Sequence, residues 1–115
     1  MRRGEIWWAT PRLSGGSRKR RPLVVVSHDA FNANALYTKV LVVHVTSVQR
    51  PGGPYDWEVD VAGGVAGLRQ ASVIKCAEIY TLLKSDLGER LGTLPRPMLS
   101  RVDQALALAL SLPTP

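Results

Sequence analysis

A single cysteine, Cys76, excludes an intrachain disulfide and suits a reducing compartment. Only two histidines, His28 and His44, accompany it, and none of the three stands at metal-ligand spacing from another. Neither a metal nor another cofactor is therefore expected. No stretch approaches the ~18 apolar residues of a membrane span, so no membrane role is expected. The basic opening MRRGEIWW is interrupted by Glu5 and leads into no signal-peptide core. Aromatic residues are scarce too: three tryptophans, three tyrosines and one phenylalanine leave Val, Leu and Ala to carry the apolar load. With 45% hydrophobic residues the 115-residue chain can still bury a real core, and its length fits one domain over 1–115. The expectation is a cytoplasmic, metal-free domain.

Acidic residues are the other shortage, and it is local. Residues 1–50 hold nine Lys/Arg and two acids, whereas 51–115 hold six Lys/Arg and seven acids. The halves carry +7 and −1 of a net +6. Such asymmetry points to an anionic partner for the N-terminal half, with plain solubility charge as the simpler reading. That half shows no basic amphipathic helix, which disfavours a membrane surface.

The chain reads as short strands ending in a helix. GEIWWA (4–9) has strand composition, and TPRLSGGSRKR (10–20) is a long connection broken by Pro11, Gly15 and Gly16. RPLVVVS (21–27) and TKVLVVHVTS (38–47) are apolar enough for fully buried strands, joined by a turn or short helix over 28–37. YDWEVDV (55–61) alternates apolar Tyr55, Trp57, Val59 and Val61 with acidic Asp56, Glu58 and Asp60, predicting one buried face and one solvated acidic stripe. AGGVAG (62–67) is a turn, and QASVIKCAEIYTLL (70–83) is one bent strand or two. KSDLGERLGTLP (84–95) reads as loop with at most a short strand. From Met98 to Leu110 the apolar residues recur every three or four positions, a helix that admits Pro95 and Pro97 in its first turn and ends at Pro113. A mainly β fold with a C-terminal helix, a small helix-capped β-barrel, is expected. Leu108 and Leu112 lie beyond one helix face and suggest contact with a partner chain.

Four cations, Arg18, Lys19, Arg20 and Arg21, crowd the mouth of the first buried strand. If the two buried strands are antiparallel neighbours in a register that sets Ser27 opposite Val40, Arg21 stands opposite Thr46. Arginine offers a planar, permanently charged fork that grips two oxygens of one phosphate, and a threonine hydroxyl adds a donor. Such a pair can stabilise a phosphoryl group under attack by the neighbouring 2′-hydroxyl of RNA, without a metal. The plainer reading is a strand-end arginine beside a structural threonine.

The segments RRGEIWWA, RRPLVVVSHDAFN, VVHVTS, GLRQASVIKCAEIYTL and LGTLPRPMLSRVDQALALALSL, in this order over nearly the whole chain, resemble those of the MazF/PemK-like toxins. These are the ribonuclease half of bacterial toxin–antitoxin pairs. The resemblance implies an SH3-like small β-barrel with a C-terminal helix, working as a homodimer. It also implies a metal-independent, sequence-selective endoribonuclease that cuts single-stranded RNA to a cyclic phosphate and a 5′-hydroxyl. The family's catalytic arginine and threonine fall on Arg21 and Thr46. A cognate antitoxin is implied, an acidic extended segment covering the same groove, with DNA reached only through it. Where relatives use an Arg and an Asp in the long strand, this chain has Lys75 and Ala77.

The RNA contacts expected on this basis are Arg18, Lys19, Arg20, Arg69 and Lys75 on the backbone and Ser72 in the groove. His28 and Glu78 stand as candidate general bases. His44 reads as a half-buried strand histidine, or as the partner of His28 in a two-histidine site. Trp7 and Trp8 point to opposite faces, so one can pack while the other stacks on a base or a partner chain. Cys76 reads as core. Two other classes stay open: a non-catalytic toxin of the gyrase-poison type, and a nucleic-acid-binding barrel.

Overall fold

In the computed structural model, which describes residues 1–10 and 19–113, a ladder between two valine-rich strands organises the rest. β2 (Arg21–Val25) and β3 (Lys39–Thr46) pair antiparallel through Leu23–His44, Val24–Val43 and Val25–Val42. This is the expected register, and extending it by two residues sets Arg21 opposite Thr46. At its other end the ladder bulges, because the N–H groups of Val26 and Ser27 both donate to the Leu41 carbonyl (2.9 and 3.3 Å). Asn32 then closes the turn. It accepts from the Ser27 hydroxyl at 2.5 Å and donates to the Ser27 carbonyl at 2.8 Å, in the short helix α1 (Asp29–Asn32).

The remaining strands are β1 (Glu5–Ala9), β4 (Glu58–Val61), β5 (Ser72–Leu83) and β6 (Leu87–Thr93). They complete an antiparallel sheet in the order β4-β5-β3-β2-β1-β6. Both faces of β2 and β3 are buried, as their unbroken valine runs require. One face packs Val24, Val43, Val45, Ile74 and Cys76 with Val102 and Ala105 of the terminal helix. The other packs Leu23, Val25, Val40 and Val42 under Trp7, Tyr80 and Leu82. Each fully buried Val or Leu is worth ~1.5–3 kcal/mol, so the ladder carries much of the core.

The two edge strands are β4 and β6, and no ladder joins them. A tight turn over Val65–Gly67, with Ala66 (φ 53°) and Gly67 (φ 82°) in left-handed backbone, closes the gap by pressing on β6. A Cβ on Gly67 would strike the Leu91 carbonyl, and one on Gly92 would lie 2.5 Å from the Ala66 carbonyl oxygen. Backbone against backbone thus makes the sheet barrel-like where hydrogen bonds do not.

Four expectations are corrected. The regular strand near 55–61 starts only at Glu58, and Tyr55 and Trp57 are exposed in the turn before it. Glu58 is buried rather than part of a solvated acidic stripe: Arg50 reaches it at 2.8 Å and the Tyr55 N–H at 3.1 Å, so the partner offsets the cost of burial. Residues 84–95 hold a seven-residue strand, β6, whose glycines and charges hide any alternation. The helix α2 (Arg96–Ala109) stops before Pro113. Ser111 turns left-handed (φ 56°), and the N–H groups of Ser111 and Leu112 bond back to Leu108 and Ala107 (3.2 and 2.8 Å). No helix among the described residues is long and apolar enough to cross a membrane.

Gly92→Ala should destabilise the fold by about 1–3 kcal/mol through overpacking against Ala66. The denaturant midpoint reads this, and an unchanged midpoint would show that the Val65–Gly67 turn can retreat from β6.

Candidate active site

Arg21, Leu23 and Val25 share a sheet face with Val42, His44 and Thr46, because residues opposite each other in the ladder point the same way. The buried members of this row anchor its end. Arg21 and Thr46 therefore emerge at one rim, each half-buried. A cleft of about 740 Å³ opens there, lined by both of them and by Lys19, Arg20, Arg69 and Arg90. Glu89 is the one acid among its described lining residues, 3.8 Å from Arg20. Trp8 forms part of the wall, and the Arg20 guanidinium lies 4.4 Å from its ring centroid.

Thr46 also borders a second cleft of about 400 Å³, shared with His44, Lys75, Arg50 and Glu58. It stands on the ridge between the two. Its Oγ1 accepts from the Val48 N–H at 3.2 Å, which orients the oxygen and leaves the hydroxyl proton to donate.

Between β3 and β5 the pairing jumps from Val43–Ile79 to His44–Lys75, so Cys76, Ala77 and Glu78 bulge out of register. The bulge brings Glu78 back over the site. Its carboxylate meets the Lys75 ammonium at 2.9 Å and lies 3.9 Å from His44 Nδ1. The other ring nitrogen, Nε2, lies 3.3 Å from Arg21 Nη1. Burial holds the imidazole pKa below the ordinary histidine value, and the Arg21 and Lys75 cations add to this against the opposing Glu78. His44 is thus neutral at pH 7.

The expected site residues sort by place. Lys19, Arg20, Arg21, Thr46, Arg69 and Ser72 line the larger cleft, although the buried Ser72 hydroxyl donates to the Gln70 carbonyl at 2.9 Å. Lys75 lines the smaller one, with Glu78 beside it. Arg18 lies outside the described residues. His28 is not brought to the cluster: it follows the far end of β2 and caps α1, its Nδ1 accepting from the Ala30 N–H at 2.9 Å. Geometry therefore separates it from His44. Trp7 packs on the second core and donates Nε1–H to Glu5 at 3.0 Å, leaving Trp8 as the tryptophan in the cleft. Cys76 is core, its thiol pushed up to about 12 by burial and by the Glu58 charge. Among the described residues no three His, Cys, Asp or Glu side chains converge on a metal position.

Sequence reasoning missed Arg90, and it missed the contact between His44 and Arg21. Arg90 belongs to the strand that was read as loop. It reaches back to the buried Glu5 at 3.1 Å. The His44 contact was implicit in the register, since one residue pair separates it from the Arg21–Thr46 rung.

A strand-held guanidinium and a hydroxyl share the rim of a cationic groove in a helix-capped barrel, a setting suited to phosphate groups. Comparison with known proteins makes the class specific. Residues 2–110 match the family model described as PemK-like, MazF-like toxin of type II toxin–antitoxin system. Endoribonuclease MazF6 of Mycobacterium tuberculosis is 33% identical over 112 residues, covering 96% of each chain. Endoribonuclease MazF9 of the same organism is 32% identical over 117 residues, covering 97% of this chain and 98% of its own. A mycobacterial endoribonuclease solved in complex with its cognate antitoxin superposes with a TM-score of 0.80 at 26% identity, over 100% of this chain and 99% of that one. The chain belongs to the PemK-like, MazF-like family of type II toxins.

The Arg50–Glu58 pair yields a stability prediction. Burial alone would raise the Glu58 pKa, but hydrogen bonds from Arg50 and the Tyr55 N–H, with the Arg50 and Lys75 charges, hold it below the ordinary carboxylate value. A depressed carboxylate stabilises the fold above the ordinary value, and that contribution is lost as pH falls through the lower, folded one. Arg50→Ala should lower stability at neutral pH by leaving a buried acceptor short of its donor. The gap from wild type should narrow at an acid pH below the ordinary carboxylate range. Denaturant titrations at both pH values check it, and a gap independent of pH would show that the pair acts through packing alone.

Proposed function

We propose that this chain is a sequence-selective endoribonuclease toxin that cuts single-stranded RNA without a metal, through Arg21 and Thr46. The observation that carries the reading is the meeting of these two side chains at one rim of a cationic groove, with Thr46 also bordering a second cleft. The 2′-hydroxyl gives up its proton to water as its oxygen attacks the adjacent phosphorus and bonds to it, and the 5′-oxygen takes up a proton from water as its bond to phosphorus breaks. The products are a cyclic phosphate and a 5′-hydroxyl. Negative charge grows on the phosphoryl oxygens as this happens. Arg21 meets it with paired N–H donors and Thr46 with one O–H. Lys19, Arg20, Arg69 and Arg90 hold neighbouring phosphates, while Trp8 offers a face on which a base can stack.

The partner of this groove, when it is silenced, is a cognate antitoxin with an acidic extended segment. The net +6 chain and its groove cations suit such a segment, and a similar endoribonuclease has been solved with its antitoxin. The chain acts as one domain in the cytoplasm and pairs as a homodimer. Leu108 and Leu112, both more than half exposed, offer apolar surface to a partner chain.

Incubation with a long RNA in EDTA should yield cleavage with 5′-hydroxyl ends, and a 2′-deoxy nucleotide at the cut should abolish it. Magnesium dependence, or cutting of the deoxy substrate, would remove the internal-nucleophile mechanism. Arg21→Lys should lower the single-turnover rate nearly as far as Arg21→Ala, by about 10²–10³ or more, because lysine keeps the charge but not the fork. Thr46→Val should show a milder loss, with RNA affinity largely kept in all three variants. A folded Arg21→Lys protein cutting at the wild-type rate would reduce Arg21 to a binding cation.

The groove cations make a separate prediction. Replacing Lys19, Arg20 and Arg69 by Gln should weaken all RNAs alike, each lost phosphate contact removing about 0.7 from the log–log salt slope. A changed cleavage sequence with an unchanged slope would instead make these residues base readers.

A further inference from the structure

His44 contacts the guanidinium assigned to catalysis but has no place in the reaction as described. Its side chain is buried, in the row between the apolar core and the Arg21–Thr46 rim. The charged and titratable groups around it are Arg21 from β2 and Lys75, Glu78 and Tyr80 from β5, the Tyr80 ring centroid lying 6.5 Å away, with the paired Arg50 and Glu58 in the smaller cleft that His44 also lines.

Arginine donates and never accepts. A hydrogen bond between Arg21 Nη1 and His44 Nε2 at 3.3 Å therefore requires Nε2 to be the acceptor. The imidazole must be neutral, with its proton on Nδ1. That nitrogen has no hydrogen-bond partner among the described residues, but the Glu78 carboxylate lies 3.9 Å away on that side. Lys75 holds the carboxylate there, at 2.9 Å. The ring therefore stands between an anion and the arginine, touching Arg21 with one nitrogen and facing Glu78 with the other.

We propose that His44 is a positioning residue for Arg21: its neutral imidazole fixes the guanidinium toward the cleft and keeps Glu78 from pairing with it. The inference rests on the cleavage reading above. A guanidinium free to swing to a carboxylate would be neutralised as well as misplaced. A neutral acceptor instead leaves its full charge for the phosphate. Protonated His44 would lose the acceptor and set a second cation against Arg21, releasing the fork. Since burial keeps the imidazole neutral to below the ordinary histidine range, this release belongs to acid pH, below about 6.5.

The test compares His44→Leu with His44→Gln, whose amide oxygen can accept near the position of Nε2 and carries no titratable proton. His44→Leu should cut RNA at least about tenfold more slowly in single turnover, with affinity nearly unchanged, since small misplacement of a catalytic group costs up to ~10² in rate. His44→Gln should recover most of that loss at neutral pH and lack the acid fall of the wild-type rate. Nitrogen NMR of the labelled imidazole should show the Nδ1–H tautomer, and Arg21→Ala should raise the His44 pKa. A folded His44→Leu protein cutting at the wild-type rate overturns the proposal, as does an Nε2–H tautomer or an acid limb retained in His44→Gln. An RNA-inactive wild type with the Nδ1–H tautomer intact would overturn the cleavage reading itself, leaving the contact as measured.

Discussion

The antiparallel ladder of β2 and β3 is buried on both faces, and little else in the molecule can move without it. Leu23, Val24, Val25, Val42 and Val43 are fully buried within it. A one-residue slip would turn each of these side chains onto the opposite face and break two cores at once. The register is therefore held by hydrophobic burial, a force with no interest in chemistry. Its by-product is chemical: Arg21, His44 and Thr46 are carried to one rim at fixed spacing. Their backbones belong to a ladder held by the core behind it, an arrangement that suits the charge-stabilising role proposed for them.

Electrostatics at the rim is arranged by separation. The acids near the site are each engaged by a cation other than Arg21: Glu78 by Lys75, Glu58 by Arg50, Glu5 by Arg90 and Glu89 by Arg20. Among the described residues Arg21 instead meets a neutral ring, His44. Where the binding cations form exposed pairs, these are weak and salt-screened, so a phosphate can displace the carboxylate at small cost. The same logic suits an acidic antitoxin, which would compete for groove cations without needing to reach the arginine.

Irregular backbone does the rest of the positioning. The bulge in β5 returns Glu78 to the site, while the turn over Val65–Gly67 closes the barrel against β6 and carries the chain on to Arg69 in the groove. Neither feature is a regular element. Both depend on how far two backbones can approach, and at Gly67 and Gly92 that approach leaves no room for a side chain.

Much of this was legible in the chain. Buried strands announce themselves by unbroken valine runs, the helix by its three- and four-residue period, and the Arg21–Thr46 pairing by simple hairpin register. These are local or nearly local signals, read from composition and period. The burial of Glu58, the strand that holds Arg90 and the bulge that returns Glu78 to the site were not legible, because each depends on a partner distant in sequence or on a bulge, and the His44 contact was only implicit in the register. Alternation placed Glu58 in solvent, yet Arg50 makes its burial tolerable. The glycine-broken β6 has no period to read and is a strand only because β1 offers it a free edge. The sequence by itself determined which strands must be buried and, given one register between them, which arginine and threonine would meet. Tertiary structure alone decided which acid faces which cation, because the cost of burying a charge depends on the partner that folding brings to it.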